Sequence, residues 1–122
     1  MAGGPIIAVV DDDAAIRTAL SRLLRSLDYR VRLFASAEAF LADGDEVDCL
    51  VTDVQMPGMN GLELQRAVRR SRPELPVIII TAFPEAAIRE QAVAAGARHF
   101  LSKPFAAETI AQCLREATGH AG

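Results

Sequence analysis

Short apolar runs alternate with one-sided apolar stripes along the whole chain. The runs have the length of strands, and three of them are almost unbroken, which is typical of strands covered on both faces. The stripes repeat every three to four residues, which is the period of a helix that buries one face. The predicted strands are residues 6–10, 29–33, 49–52, 77–80 and 99–102, and the predicted helices are residues 16–27, 37–41, 62–70, 85–95 and 110–117.

The second predicted strand differs from the others because its polarity alternates. Tyr29, Val31 and Leu33 would lie on one side, and Arg30 and Arg32 on the other. This alternation indicates a strand at or near the edge of a sheet, where one face meets solvent.

Capping and helix-breaking residues support the helix boundaries. Asp13 and Ser36 are side chains that cap helix N-termini, and Gly96 is typical of the position after a helix C-terminus. Pro84 favours the start of the fourth helix. That helix is rich in Ala and has the least defined apolar face of the five.

Five units of a strand followed by a helix predict an α/β fold. Right-handed crossovers place helices on both faces of a parallel sheet, so we expect a doubly wound, flavodoxin-like sheet with strand order 2-1-3-4-5. The chain has 122 residues, 51% of them hydrophobic, which suits one core and leaves too little for a second domain. We expect one domain over residues 1–122, with its core at about 5–118 and a tail of small residues at 119–122.

Charge and composition exclude several classes of function and of binding site. The net charge is −3 and the isoelectric point is near 5.3, whereas nucleic-acid binding needs clustered Lys and Arg, so direct nucleic-acid binding by this domain is not expected. The first residues lack a basic segment and run into three acids, which argues against a signal peptide or membrane span. We expect a cytoplasmic protein without membrane contact, in which Cys49 and Cys113 are buried thiols rather than a disulfide. His99 and His120 have no partner at metal-ligand spacing, so no zinc site is expected.

Acidic residues follow two of the predicted strands. Asp53 ends the third strand and leads into a loop rich in Pro, Gly and Asn, and Asp11 to Asp13 follow the first strand. Under the predicted order these strands are neighbours, and their carboxyl ends meet where open α/β sheets bind ligands. Carboxylates gathered there would raise one another's pKa, and a hard divalent cation such as Mg²⁺ is the usual counter-charge. Two plainer interpretations remain, namely Asp53 as a turn cap and the acidic run as a solvated helix cap.

Five short motifs lie in or just after the predicted strands. They are Asp11 with Asp12, Asp53 with the loop MPGMNG at 56–61, Thr81 with Ala82, Phe100, and the tripeptide Lys103, Pro104 and Phe105. Together they resemble a response-regulator receiver domain over nearly the whole chain. The segments SAEAFL at 36–41 and MPGMNG are most similar to the nitrogen-fixation type of two-domain transcription regulator.

The resemblance implies that Asp53 is a nucleophile that takes a phosphoryl group from the phosphohistidine of a histidine kinase. Asp12 would bind Mg²⁺ directly and Asp11 partly through water. Asp53 and the backbone carbonyl of Gln55 would complete the protein ligands, and Mn²⁺ is an alternative ion. The chain would be a signalling switch that takes part in its own phosphoryl transfer and slow autodephosphorylation, not an enzyme.

The resemblance also implies which residues bind and report the phosphoryl group. Lys103 would supply a positive charge, Thr81 a hydroxyl and Ala82 a backbone amide. The peptide between Lys103 and Pro104 would be cis. Thr81 and Phe100 would form a switch, although Phe100 lacks the hydroxyl of the tyrosine often found at its position. The face made by the fourth helix, fifth strand and fifth helix would then favour a homodimer on phosphorylation and control an output domain or a downstream protein.

Two other classes of protein share parts of this pattern. A haloacid-dehalogenase-like phosphatase also uses an Asp nucleophile, but it needs a second acid two residues later, where this chain has Gln55. A flavin-binding module needs a phosphate-binding loop after the first strand, where the acids at 11–13 would repel phosphate. The chain is either a single-domain regulator or the receiver part of a longer protein, and the likeness to two-domain regulators favours the second.

Overall fold

A computed structural model describes residues 4–120 and confirms the α/β fold. The elements in chain order are β1 (Ile6–Val10), α1 (Ala14–Ser26), β2 (Arg30–Phe34), α2 (Ala37–Asp43), β3 (Cys49–Asp53), α3 (Gly61–Ser71), β4 (Val77–Thr81), α4 (Ala86–Ala94), β5 (His99–Ser102) and α5 (Ala107–Thr118). The strands form one parallel sheet in the predicted order β2-β1-β3-β4-β5. Residues 1–3 and residues 121–122, the end of the predicted tail, lie outside the described residues.

The sheet has a hydrophobic core on each face, because successive side chains of a strand point to opposite sides. Ile7 and Val9 of β1 belong to a core that α1 and α5 complete. Ala8 and Val10 belong to the opposite core, which α2, α3 and α4 complete. Every residue of β3 and β4 is buried, which accounts for their continuous apolar runs.

Both cysteines are buried free thiols, as predicted. Cys49 lies in β3, where burial raises the pKa of its thiol to about 12. The Cys113 thiol of α5 also has a raised pKa, again chiefly because of burial. Both side chains therefore pack as small apolar groups in the core shared with α1.

The apolar side of β2 is buried only in part. Tyr29 precedes the strand and is buried, whereas Leu33 is 41% exposed. Phe34 is buried instead, with its ring edge-on to Phe40 of α2 at 5.3 Å between centroids. β2 is an edge strand, as predicted. Helices cover an edge strand incompletely, so an apolar side chain on it can remain exposed while its neighbour is buried.

The helix ends differ from the predicted ones by a few residues. α2 continues to Asp43, into a segment expected to be a connection, and α4 is shorter than predicted because Glu85 is its N-cap. The predicted caps Asp13 and Ser36 are confirmed, since each side chain accepts a hydrogen bond from an amide in the first turn of its helix. No helix within residues 4–120 combines the length and the apolar character that crossing a membrane requires.

Side-chain hydrogen bonds attach α4 to α3 at its C-terminal end. The side-chain amide of Gln65 in α3 donates to the carbonyl of Ala92 at 2.9 Å, and the guanidinium of Arg69 donates to the carbonyl of Ala95 at 3.0 Å. Ala92 is the one buried residue of α4, in line with the weak apolar face expected from the sequence. At the other end Glu85 makes no side-chain cap hydrogen bond. The start of α4 is therefore less firmly held than its end.

Candidate functional site

Four strands end at one edge of the sheet, and each brings a predicted site residue to that edge. β1 ends directly before Asp11, β3 ends with Asp53, β4 ends with Thr81, and β5 ends directly before Lys103. Since these strands are parallel and neighbouring, their carboxyl ends form one crevice. The long-range convergence predicted from the strand order is therefore present.

Three carboxylates and one ammonium form the centre of this crevice. Asp11, Asp12 and Asp53 each offer an oxygen within 4.8 Å of the others. The Nζ atom of Lys103 donates to Oδ2 of Asp11 at 2.9 Å and lies 3.5 Å from Oδ1 of Asp53. Asp11 is 1% exposed and Asp53 5%, whereas Asp12 is exposed. One ammonium therefore serves two buried carboxylates, and the cluster keeps an excess of negative charge.

The charges of this cluster shift its protonation equilibria. Burial raises the pKa of the Asp53 carboxyl above its ordinary value, and the charge of Asp11 adds to this effect, while Lys103 opposes it. Burial alone would lower the pKa of Lys103, but its hydrogen bond to Asp11 and the charges of both carboxylates outweigh burial and raise it. Lys103 therefore stays protonated. Oδ1 of Asp53 is buried without a hydrogen-bond partner among the described residues, so further positive charge would stabilise it.

The turn after β1 fixes Asp11 on both sides. Its Oδ1 atom accepts a hydrogen bond from the backbone amide of Asp13 at 2.9 Å. Its backbone carbonyl accepts from Nη1 of Arg17 in α1 at 2.7 Å. Asp13 in turn caps α1, so helix start and acidic cluster are built from the same few residues. Asp12 lies between them with its carboxylate open to solvent.

The loop after β3 is tightly built around Asp53. A Cβ atom at Gly61 would overlap the backbone carbonyl oxygen of Asp53, so only glycine fits where α3 begins. Asn60 forms a capping box with the first turn of α3. The carboxylate of Glu38 in α2 accepts from the backbone amide of Met59 at 2.9 Å, and this hydrogen bond lowers the pKa of Glu38. The loop is therefore held by both α2 and α3.

At the end of β4, the hydroxyl of Thr81 already has two hydrogen-bond partners. It donates to Oε1 of Gln55 at 2.7 Å and accepts from the backbone amide of Phe83 at 2.9 Å. Thr81 is fully buried, Gln55 is half-buried, and Ala82 follows at the exposed rim. Gln55 and Thr81 thus link the loop after β3 to the end of β4.

The end of β5 holds the lysine and the predicted switch residue. The peptide bond between Lys103 and Pro104 is cis, as predicted. The backbone amide of Lys103 donates to the carbonyl of Thr81 at 2.8 Å, which ties the two strand ends together. The half-buried ring of Phe100 packs toward α4, and the guanidinium of Arg89 lies 5.0 Å from its centroid. An apolar groove of about 500 Å³ between α1 and the segment after β5 adjoins Lys103.

Sequence comparison agrees with the class of protein that this fold and crevice define. The model of the response regulator receiver domain family matches residues 7–115. The chain belongs to that family, and its sheet order is that of the CheY-like receivers.

Individual relatives belong to the same family. Response regulator protein TmoT of Ectopseudomonas mendocina is 40% identical over 114 residues, which cover 92% of this chain and 52% of that protein. Transcriptional regulatory protein FixJ of Bradyrhizobium diazoefficiens is 37% identical, over 91% of this chain and 55% of that protein. The structure of the BeF3-activated DrrB receiver domain has a TM-score of 0.88 and 33% identity, over 95% of this chain and 98% of that one. The predicted likeness to nitrogen-fixation regulators is confirmed, and the chain spans about half the length of the curated relatives it matches.

Two contacts at the site were not predicted. The sequence analysis names Gln55 for its backbone carbonyl, but not for the contact of its side chain with Thr81, 26 residues away. Glu38 belongs to the SAEAFL segment, yet nothing in its spacing indicates that it binds the loop at Met59, 21 residues away. Both are contacts between separate elements, which local periodicity does not encode.

Proposed function

We propose that this receiver domain is the phosphoacceptor of a two-component signal transduction system and that Asp53 is phosphorylated. The cluster of three carboxylates with Lys103 at one sheet edge is the observation that supports this most. A carboxylate oxygen of Asp53 attacks the phosphorus of a histidine kinase's phosphohistidine. The phosphorus–nitrogen bond breaks, the imidazole keeps the electron pair and takes a proton, and an aspartyl phosphate remains.

The side chains present fit Mg²⁺. Three carboxylates offer hard oxygen ligands within 4.8 Å, and a buried oxygen of Asp53 has no hydrogen-bond partner among the described residues. Asp12 would bind the ion directly, Asp11 partly through water, and Asp53 and the carbonyl of Gln55 would complete the set. Mn²⁺ takes similar ligands. When bound, the ion offsets negative charge on the transferring phosphoryl oxygens.

The other residues of the crevice act by position and charge. Lys103, held by Asp11 and close to Asp53, pairs with a phosphoryl oxygen. Thr81 donates its hydroxyl and Ala82 its backbone amide to the other oxygens. Water later hydrolyses the acyl phosphate and restores the free carboxylate. The domain is therefore a switch that takes part in its own phosphoryl transfer and slow autodephosphorylation, rather than an enzyme acting on a separate substrate. Its proposed location is the cytoplasm.

The output surface in this proposal is the face of α4, β5 and α5. When Thr81 moves to the phosphoryl group, space opens beside Phe100. Phe100 pairs with Ile79 of β4, and β4 is the neighbour of β3, which ends with Asp53. Phe100 turns inward, and α4, with few buried side chains, changes position. The altered face pairs two chains and controls an output domain or a downstream protein. Residues 1–122 act here as a single receiver domain.

The chemical part is tested by phosphorylation with acetyl phosphate and Mg²⁺, followed by intact-protein mass spectrometry. We expect one phosphoryl group that hydroxylamine removes, and none in Asp53→Asn. Asp45→Asn, which changes an exposed acid between α2 and β3, is the matched control and should label normally. Labelling of Asp53→Asn, or continuous phosphate release from many monoesters by the wild type, would contradict the proposal.

The conformational part is tested by sedimentation velocity with and without BeF3 and Mg²⁺. We expect the BeF3 form to dimerise, and Phe100→Ala to weaken the dimer relative to Leu41→Ala, which alters an exposed apolar residue of α2. A wild-type protein that remains monomeric at high concentration with BeF3 bound would rule out this output surface.

A further inference from the structure

The hydroxyl of Thr81 is already engaged in the unphosphorylated protein. It is fully buried, donates its one hydrogen to Oε1 of Gln55 at 2.7 Å, and accepts from the backbone amide of Phe83 at 2.9 Å. Both bonds have good lengths for their types. The resting hydroxyl is therefore satisfied as a donor and as an acceptor.

A hydroxyl has a single hydrogen, so it can make only one strong donated hydrogen bond at a time. If Thr81 donates to a phosphoryl oxygen on Asp53, it must first leave Oε1 of Gln55. The sheet makes this competition local, because Asp53 pairs with Ile80, the residue before Thr81. Gln55 lies only two residues beyond Asp53, on the loop that the phosphoryl group would face.

We propose that Gln55 is a positioning residue whose side chain holds the Thr81 hydroxyl in its resting arrangement and competes with the phosphoryl group for it. This inference rests on the proposed function, since it concerns how the same site is switched. The side chain of Gln55 stabilises the resting state, and phosphorylation must release it. Its removal therefore favours the state in which Thr81 binds the phosphoryl group, because the resting hydroxyl is left without an acceptor.

The test measures the affinity of the domain for BeF3 in the presence of Mg²⁺. Met has nearly the length of Gln, but its sulfur is only a weak acceptor, so Gln55→Met removes most of the hydrogen bond and keeps the size of the side chain. We expect its dissociation constant to be about fivefold lower than that of the wild type, the equivalent of one neutral hydrogen bond. The chain has no Trp, so binding is followed by NMR titration rather than by Trp fluorescence.

A double-mutant cycle with Thr81→Val separates this role from a general effect on the loop. Val keeps the shape of Thr81 but has no hydroxyl for Gln55 to hold. In that background Gln55→Met should change the BeF3 affinity less than twofold, because the competing partner is absent. A purely structural effect on the loop would instead persist in both backgrounds.

The outcomes distinguish this inference from the proposed function. Failure of the wild type to bind BeF3 with Mg²⁺ would overturn the proposed function, and this inference with it. Normal binding by the wild type with equal or weaker binding by Gln55→Met would overturn only the role of Gln55. An equal gain in affinity in the Thr81→Val background would also overturn it, since the effect would not act through Thr81.

Discussion

Asp53→Asn should make the resting domain more stable in the absence of divalent cations, although it removes the proposed phosphoacceptor. Asp53 and Asp11 are both buried and share the one ammonium of Lys103. One oxygen of Asp53 has no hydrogen-bond partner among the described residues. An ionised group buried in this way costs stability, whereas a neutral amide of the same shape does not carry that charge.

The expected gain is about 1–2 kcal/mol in the free energy of unfolding. The substitution keeps a carbonyl acceptor and removes the negative charge; burying such a charge costs several kcal/mol, and the nearby ammonium of Lys103 offsets most of that amount. For a chain of 122 residues this corresponds to a rise of about 4–8 °C in the melting temperature. Asp45→Asn, at an exposed position, should change the free energy of unfolding by less than about 0.5 kcal/mol.

The gain should depend on pH and on Mg²⁺. Because the pKa of Asp53 is raised in the folded state, the folded state binds the proton more tightly than the unfolded state does. The penalty is thus absent below the ordinary pKa of 3.8 and fully present above the raised one, so the difference from Asp53→Asn should vanish in acid. A tenfold excess of Mg²⁺ over its dissociation constant should stabilise the wild type by about 1.4 kcal/mol and reduce the difference at neutral pH.

Urea denaturation in EDTA at pH 7, repeated below pH 3.8 and with Mg²⁺, checks each of these statements. If Asp53→Asn were equally or less stable than the wild type at pH 7 in EDTA, the charge of Asp53 would not destabilise the folded state. A difference between the two proteins that does not change with pH would assign the gain to packing rather than to ionisation.

Three further substitutions test the parts that surround this carboxylate. Lys103→Met should lower the free energy of unfolding by about 2–4 kcal/mol, because Asp11 and Asp53 lose the ammonium that lies close to both of them. Combining it with Asp53→Asn should recover part of the loss in the same urea assay. Asn60→Ala should cost about 1 kcal/mol in that assay by removing the capping box of α3, whereas Asn60→Asp should retain most of the stability. Gln65→Met should leave global stability nearly unchanged but accelerate amide hydrogen exchange in the last turn of α4, and unchanged exchange there would contradict the role given to this side chain.

Patterns along the chain predict the sheet well because burial and turn chemistry are local. The limits of β1 and β5 agree with prediction to the residue, since acids follow one and Lys103 and Pro104 follow the other. The convergence of Asp11, Asp53 and Lys103 follows from parallel strands that end at one edge. The site residues could therefore be grouped before their distances were known.

Interactions between distant elements are not encoded in this way. The hydrogen bond between Gln55 and Thr81 and the one between Glu38 and Met59 each join a loop to another element. Their formation depends on how strands and helices stack, so neither appears as a period or a motif. The exposure of Leu33 has the same origin, because cover at the edge of the sheet is decided by tertiary packing.

Because α4 is attached at one end, a rotation of the helix about that end moves its other end most. Gln65 and Arg69 hold carbonyls near its C-terminus, whereas its first turn, on the side of Thr81, has no side-chain cap. Nine residues give an arm of about 13 Å, so a rotation of about 10° moves the free end by about 2 Å while the attached end stays in place. The hydroxyl of Thr81, at the end of β4, is thus next to the part of α4 that moves furthest in such a rotation.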